Sequence, residues 1–158
     1  MMAAAAIRPA VPEDAAALAV LFRTSRAAAM PWLPVLHTPA EDLAWMRDRV
    51  IRGCTTLVAE EDGALLGFVA CHGDWIEHLY LHPDHLRRGL GTRLLRTATG
   101  DQPPVLRLHA FARNAPARAF YEGHGFRPAA FGDGSTNEEG EPDVLYERHL
   151  PAQERDER

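Results

Sequence analysis

The chain of 158 residues carries 17 basic and 22 acidic groups for a net charge of −5, with 46% hydrophobic and 25% charged residues. That is the profile of one ordinary globular domain, long enough to bury a core without staples. Every basic residue is Arg, and the acidic balance argues against a nucleic-acid groove as the main surface. No stretch approaches the ~18 apolar residues of a membrane span. The Met-Met-Ala-Ala opening lacks the basic region of a signal peptide, and the two cysteines, Cys54 and Cys71, exclude a disulfide scaffold and favour a reducing, cytoplasmic setting.

Residues 7–10 read as a short edge strand. Pro12, Glu13 and Asp14 then open a helix over residues 12–30, with Pro at an orphan N–H and acids at the positive end of the dipole; Leu18, Leu21, Phe22 and Ser25 keep one face. Two prolines in residues 31–37 enforce a loop that carries Trp32, Leu33 and His37. Thr38-Pro39-Ala40-Glu41 is a capping box for a second helix to about residue 52.

The period then changes to that of strands, residues 55–59 and 64–70, joined by an Asp62-Gly63 turn. Uniform pairing from a two-residue loop sets Cys54 opposite Cys71, as reduced, buried, small apolar groups. A turn at Gly73-Asp74 leads into a third strand, residues 75–81, and three antiparallel strands in a row imply an α+β sheet. A helix over residues 92–99, a loop over 101–104 and a strand over 105–111 follow. Asn114 caps a helix to Gly123, Gly125 supplies a left-handed stop, and strands over 126–131 and 143–150 flank an acidic loop. The expected organisation is a single domain, 1–150, with a charged, frayed tail, 151–158.

Two segments carry chemistry. In Leu79-Tyr80-Leu81-His82-Pro83-Asp84-His85-Leu86-Arg87-Arg88-Gly89-Leu90-Gly91-Thr92 a strand runs through a basic, glycine-bearing turn into a helix N-terminus. Such a turn directs backbone N–H groups at a phosphate or pyrophosphate, where the helix dipole favours negative charge and Arg87, Arg88 and Arg93 add positive charge. It is neither a Walker loop nor a dinucleotide fingerprint, since no Gly-Lys-Ser/Thr follows and Leu94 stands where a third Gly would be. In the second segment, Asn114 and Tyr121 return to nearly the same helix face at ~100° per residue.

In this order and about thirty residues apart, the two segments together resemble the GNAT superfamily of acetyl-CoA-dependent N-acetyltransferases, and the resemblance covers nearly the whole chain. It implies a mixed, mostly antiparallel twisted sheet with a central splay between the Trp75 and Val105 strands, flanked by about four helices. It implies acetyl-CoA as co-substrate, its pyrophosphate held by backbone amides of residues 86–92, its pantetheine arm paired with Leu79, Tyr80 and Leu81 and touched by Asn114, and Tyr121 beside the sulfur. One position departs from the family pattern: Leu86 stands where Gln or Arg usually precedes the first glycine by three residues. The expected consequence is weaker affinity or a substitute contact from Arg87.

Attack of a neutral amine on a thioester needs an oxyanion donor and a proton for the departing thiolate. A thiol near ~8.5 and a phenol near ~10 match closely enough for Tyr121 to donate, and a backbone N–H of the 79–81 strand is the expected oxyanion donor. Glu77 resembles the carboxylate that many family members use as a base through water, and equally reads as a solvent-facing strand residue. His78, His37 and His109 are alternatives because histidine titrates near neutrality. A metal site on His78, His82 and His85 is rejected, since four strand residues span ~13 Å, too far for two ligands at ~2 Å.

Trp32, His37, Trp75 and His109 are the expected acceptor pocket. The predicted activity is acetyl transfer to a primary amine, on a small molecule or peptide, by direct attack in a ternary complex. Competing readings are a non-catalytic acyl-CoA-binding module and a transferase of another acyl group. No nucleic acid and no membrane partner is expected, and an exposed edge strand is compatible with a homodimer.

Overall fold

The computed structural model describes residues 4–100 and 103–150, so the expected tail over 151–158 lies outside the described residues. Seven strands occur in chain order as β1 (Ala6–Pro9), β2 (Thr55–Glu61), β3 (Ala64–His72), β4 (Trp75–Leu81), β5 (Val105–Phe111), β6 (Arg127–Gly132) and β7 (Asp143–His149). Four α-helices accompany them: α1 (Ala15–Ala29), α2 (Pro39–Trp45), α3 (Leu90–Thr99) and α4 (Ala115–Gly123). Hydrogen-bonded strands follow the order β1-β2-β3-β4-β5-β7-β6. The β1/β2, β2/β3, β5/β7 and β6/β7 pairs are antiparallel, and β4 meets β5 in parallel at the register position Trp75↔Arg107. Among the described residues no helix is long and apolar enough to cross a membrane.

The described residues divide into two compact units, one of residues 4–72 and 77–100, the other of residues 73–76 and 103–150. In the first, α1 lays Leu18, Leu21 and Phe22 against Val58, Phe68 and Ala70 of the sheet and Met46 and Val50 of the segment after α2. Pro12–Asp14 form a 3-10 turn ahead of α1, and Asp14 accepts from the Val11 amide and from both Arg8 Nη atoms. The Thr38 capping box is formed in both directions, Glu41 N donating to Thr38 Oγ1 and Thr38 N to Glu41 Oε1. Met46–Ile51 continue α2 as a π-helical turn.

The β2/β3 hairpin corrects the expected register. Near the turn Glu61 faces Ala64 and Glu60 faces Leu65, but the next pair is Ala59↔Gly67, so Leu66 is an extra residue on β3. This bulge moves every later pair by one position: Cys71 faces Thr55, not Cys54, and both thiols are free and only half-buried. The bulge has a tertiary use, since the Leu66 carbonyl accepts from the His82 amide at 2.8 Å just past β4. Gly67 sits so close to β4 that a Cβ there would lie 2.9 Å from the Tyr80 carbonyl oxygen, so only glycine fits without a shift.

The second unit buries Leu106 and Leu108 of β5 with Phe126, Val144 and Tyr146. Its β5 and α4 have the expected bounds, and Gly125 is left-handed at φ 92°. The loop after β6 is organised by Asn137, whose amide nitrogen donates to the Glu141 carbonyl and to Asp143 and whose oxygen accepts from the Glu141 amide.

Candidate functional site

The first unit contains the turn between β4 and α3. After Leu81 the chain makes a 3-10 turn, Pro83–His85, pinned by the Asp84 amide donating to His82 Nδ1 at 3.1 Å. Arg87 (φ 63°) and Gly89 (φ 76°) are both left-handed, and α3 starts at Leu90, two residues before the expected start, with no side chain capping its N-terminus. The Arg93 amide donates to the Gly89 carbonyl at 3.1 Å. Among the described residues, no side chain caps α3, and none of the turn, loop and cap hydrogen bonds that tie this stretch to other elements has an N–H of residues 87–91 as its donor. A run of open donors at the positive end of a helix dipole is the setting in which main chain binds phosphate.

The side chains of this turn differ from the sequence expectation. Arg88 is not a free charge: its Nη2 donates to Glu61 Oε2 at 2.7 Å and its Nη1 to His85 Nδ1 at 2.9 Å. That bond to Arg88 holds the Glu61 carboxyl below the usual carboxylate range. Arg87 and Arg93 are exposed. Leu86 is extended and 54% exposed, so it presents alkyl surface where the family pattern has a polar side chain.

Along β4 the pleat sends alternate residues to opposite faces. Glu77 is exposed, and its charge adds to burial in raising the thiols of Cys54 and Cys71, the latter to about 11. His78 and Tyr80 belong to an aromatic cluster that the sequence reading missed. His78 meets Trp45 edge-on at 5.0 Å, Tyr80 meets Phe22 edge-on at 5.1 Å and stacks on Phe68 at 5.8 Å, and the Arg26 guanidinium lies over Phe22 at 4.9 Å. Burial, with Arg26 nearby, pushes His78 down to about 4, so it is neutral at physiological pH. The helical period marked Phe22 as core, but its meeting with β4 depends on packing that no local pattern encodes. Of the expected acceptor residues, Trp32 and His37 lie on the loop after α1, where Arg23 bonds both the His37 carbonyl and Asp42.

In the second unit, Asn114 caps α4 as expected, its Oδ1 accepting from the Ala117 amide at 3.3 Å. Tyr121 is half-buried, its ring 5.8 Å from Phe126 and 6.5 Å from Tyr146. Trp75 and His109, two expected acceptor-pocket residues, are brought together and stack at 5.2 Å. A polar group not read from the sequence lies under α4: the Tyr146 hydroxyl donates to Glu122 Oε2 at 2.6 Å and accepts from Arg118 Nε at 2.9 Å. Burial raises the Tyr146 phenol. The i,i+4 spacing of Arg118 and Glu122 was the available signal for that pair.

The strand, turn and helix over residues 79–99 and the Asn-capped helix with its tyrosine are the two segments on which the resemblance to the GNAT class rests. The acetyltransferase (GNAT) domain family matches residues 52–128, and the family match, the curated relatives and the structural neighbours all indicate the GNAT superfamily. Among solved structures it is similar to a GCN5-related N-acetyltransferase from Rhodopseudomonas palustris, 28% identical with a TM-score of 0.78 over 95% of this chain and 98% of that one. It shares the fold of PaiA N-acetyltransferase from Thermoplasma acidophilum, solved in complex with coenzyme A, at 20% identity and TM-score 0.69 over 94% of this chain and all of that one. Among curated proteins it is 35% identical over 82 residues to the peptidyl-lysine N-acetyltransferase YiaC of Escherichia coli. That match covers 51% of this chain and 56% of the relative, so the chain spans about half of that relative's length.

Proposed function

We propose that the protein transfers the acetyl group of acetyl-CoA to a primary amine by direct attack, with no covalent enzyme intermediate. The observation that carries this reading is the head of α3, which opens on the left-handed Gly89 with no side-chain cap and no cap bond from the amides of residues 87–91 to another element. A diphosphate satisfies several such donors at once, and the exposed Arg87 supplies the positive charge that Arg88 does not. Thr92 continues the cradle, Leu79, Tyr80 and Leu81 offer main chain to the pantetheine arm, and the Asn114 amide nitrogen serves a pantetheine carbonyl.

In the reaction the amine nitrogen attacks the thioester carbonyl carbon, the N–C bond forms, and a main-chain N–H of β4 stabilises the oxyanion. The C–S bond then breaks, Tyr121 gives its phenolic proton to the thiolate, and the ammonium proton leaves through water to Glu77. The exposure of Glu77 supports a water relay over direct contact. His78, neutral and weakly basic, is a poorer base for an ammonium group, and Trp75 with His109 gives an aromatic wall for an acceptor amine. The relative named for peptidyl-lysine acetylation supports a primary amine as acceptor. Two free thiols support a reducing compartment such as the cytoplasm.

The test is a thermal-shift titration with acetyl-CoA, CoA and NAD, followed by thiol release across a panel of primary amines. Stabilisation by the first two alone, with release of CoA thiol in the presence of an amine, is the expected result. Equal response to NAD, or none to CoA, overturns the cofactor assignment, and tight CoA binding without thiol release favours a binding module.

A further inference from the structure

We infer that Glu61, at the end of β2 and 27 residues from the turn, is a positioning residue for the cofactor: through Arg88 it holds the 86–91 backbone open for the pyrophosphate. The inference rests on the reading of that turn as the pyrophosphate site. The turn is expensive to maintain. Arg87 is a non-glycine residue in the left-handed region, at a cost of about 1–2 kcal/mol, and no side-chain cap or cap hydrogen bond to another element holds the amides of residues 87–91. Little in the local backbone holds this shape against the alternatives a flexible loop samples.

The bond that ties the stretch to another strand is Arg88 Nη2 to Glu61 Oε2 at 2.7 Å, and Arg88 Nη1 to His85 Nδ1 at 2.9 Å joins the same guanidinium to the 3-10 turn before it. The Arg88 N–H donates, so His85 Nδ1 is the acceptor and carries no proton. The Glu61 side chain is 16% exposed and that of Arg88 31%, so the pair is partly shielded from water. One guanidinium thereby joins the hairpin, the 3-10 turn and the glycine turn. One N–H on each Nη is used in these bonds, which fixes the guanidinium relative to the turn, and in this assignment Arg88 acts on the cofactor through the shape of the turn.

This assignment differs in sign from the obvious alternative. If Arg88 instead grips the phosphates and Glu61 merely competes for it, removing the carboxylate frees a cation for the ligand and binding tightens. If Glu61 positions the turn, removing it leaves Arg88 mobile and binding weakens.

Calorimetric CoA binding to the wild type, Glu61→Gln, Arg88→Gln and the double variant, at fixed ionic strength, separates the two. Glu61→Gln is expected to weaken CoA about fivefold, the scale of a partly shielded ion pair, and the double variant to be no weaker than Arg88→Gln alone. The KM for acetyl-CoA is expected to rise by the same factor while kcat stays within about twofold, a split that a general loss of fold does not produce. Melting temperatures read alongside identify a variant that fails to fold, and Glu61→Ala, which removes the same carboxylate, then carries the same comparison. Unchanged or tighter binding in Glu61→Gln, or additive effects in the double variant, overturns the inference and leaves the cofactor reading standing. A wild type that does not bind CoA overturns both.

Discussion

The heads of α3 and α4 follow the same local plan, a strand leading through a turn into a helix, yet they are finished in opposite ways. α4 is closed: Asn114 bonds the Ala117 amide and Pro116 occupies the first turn, where its missing N–H costs nothing. α2 is closed too, by a two-way capping box. α3 alone of the three begins on a left-handed glycine with no side chain on its first amides. A cap is worth about 1 kcal/mol; α1 also lacks a side-chain cap but continues a 3-10 turn, whereas α3 opens on a left-handed glycine, and on the proposed function its first donors serve the cofactor. The first head is therefore built of main chain and is sensitive to backbone conformation; α4 offers side chains, Asn114 at its head and Tyr121 in its last turn, and is sensitive to single atoms.

The largest expected effect tests the side chains of α4. Tyr121→Phe removes one oxygen from a ring that keeps its neighbours Phe126 and Tyr146. Loss of a general acid is expected to lower kcat about a hundredfold with the KM for acetyl-CoA within about twofold. Steady-state thiol release with a saturating amine reads it, and an unchanged kcat removes Tyr121 from the chemistry.

How far the sequence revealed each head depends on the distance over which its determinants act. The capping of α2 and α4, the β5 bounds and the Gly125 stop were legible because each is decided within about one turn of chain. The Gly-x-Gly spacing revealed the open head of α3, but not that Arg88 is tied to Glu61, because that bond crosses 27 residues. The hairpin register was misread for the same reason: the Leu66 bulge answers His82 and β4, not the Asp62-Gly63 turn from which pairing was counted. The cluster around His78 needed α1, α2, β3 and β4 packed together before it could be seen.

That cluster sharpens the contrast, since it places a titratable side chain in burial instead of at a helix head. His78 is lowered from 6.5 to about 4 in the folded chain, so between those values the unfolded chain binds more protons. Its stabilising effect is therefore complete above about pH 6.5 and is lost as pH falls towards 4. Urea unfolding at pH 7 and pH 5 is expected to show a loss on the order of 2 kcal/mol in the wild type, and a smaller loss in His78→Phe, which keeps an aromatic ring beside Trp45. Equal losses in the two proteins place His78 in water and dissolve the distinction.

The main-chain head is expected to respond to backbone changes more than to side-chain changes. A Cβ at Gly89 meets nothing within 4 Å, so Gly89→Ala tests conformation without a clash. Holding alanine at φ 76° costs about 1 kcal/mol, and CoA affinity is expected to fall about fivefold with little change in kcat. A Gly89→Ala variant that binds as the wild type does shows that the left-handed residue is not part of the bound turn.

Leu86→Gln, at the position that departs from the family pattern, carries the smallest expected effect and the most pointed one. Leu86 is 54% exposed, so the exchange removes little packing, and on the proposed function the new amide adds one neutral hydrogen-bond donor beside a phosphate that the backbone already meets. One such bond in water contributes about 0.5–1 kcal/mol, so CoA binding is expected to tighten no more than about threefold. A gain of this size in calorimetric titration, smaller than the loss in Gly89→Ala, is what a backbone-built cradle requires. A gain of a hundredfold reverses the ranking: the side chain at 86 then supplies the grip, and the backbone amides of residues 87–91 are secondary.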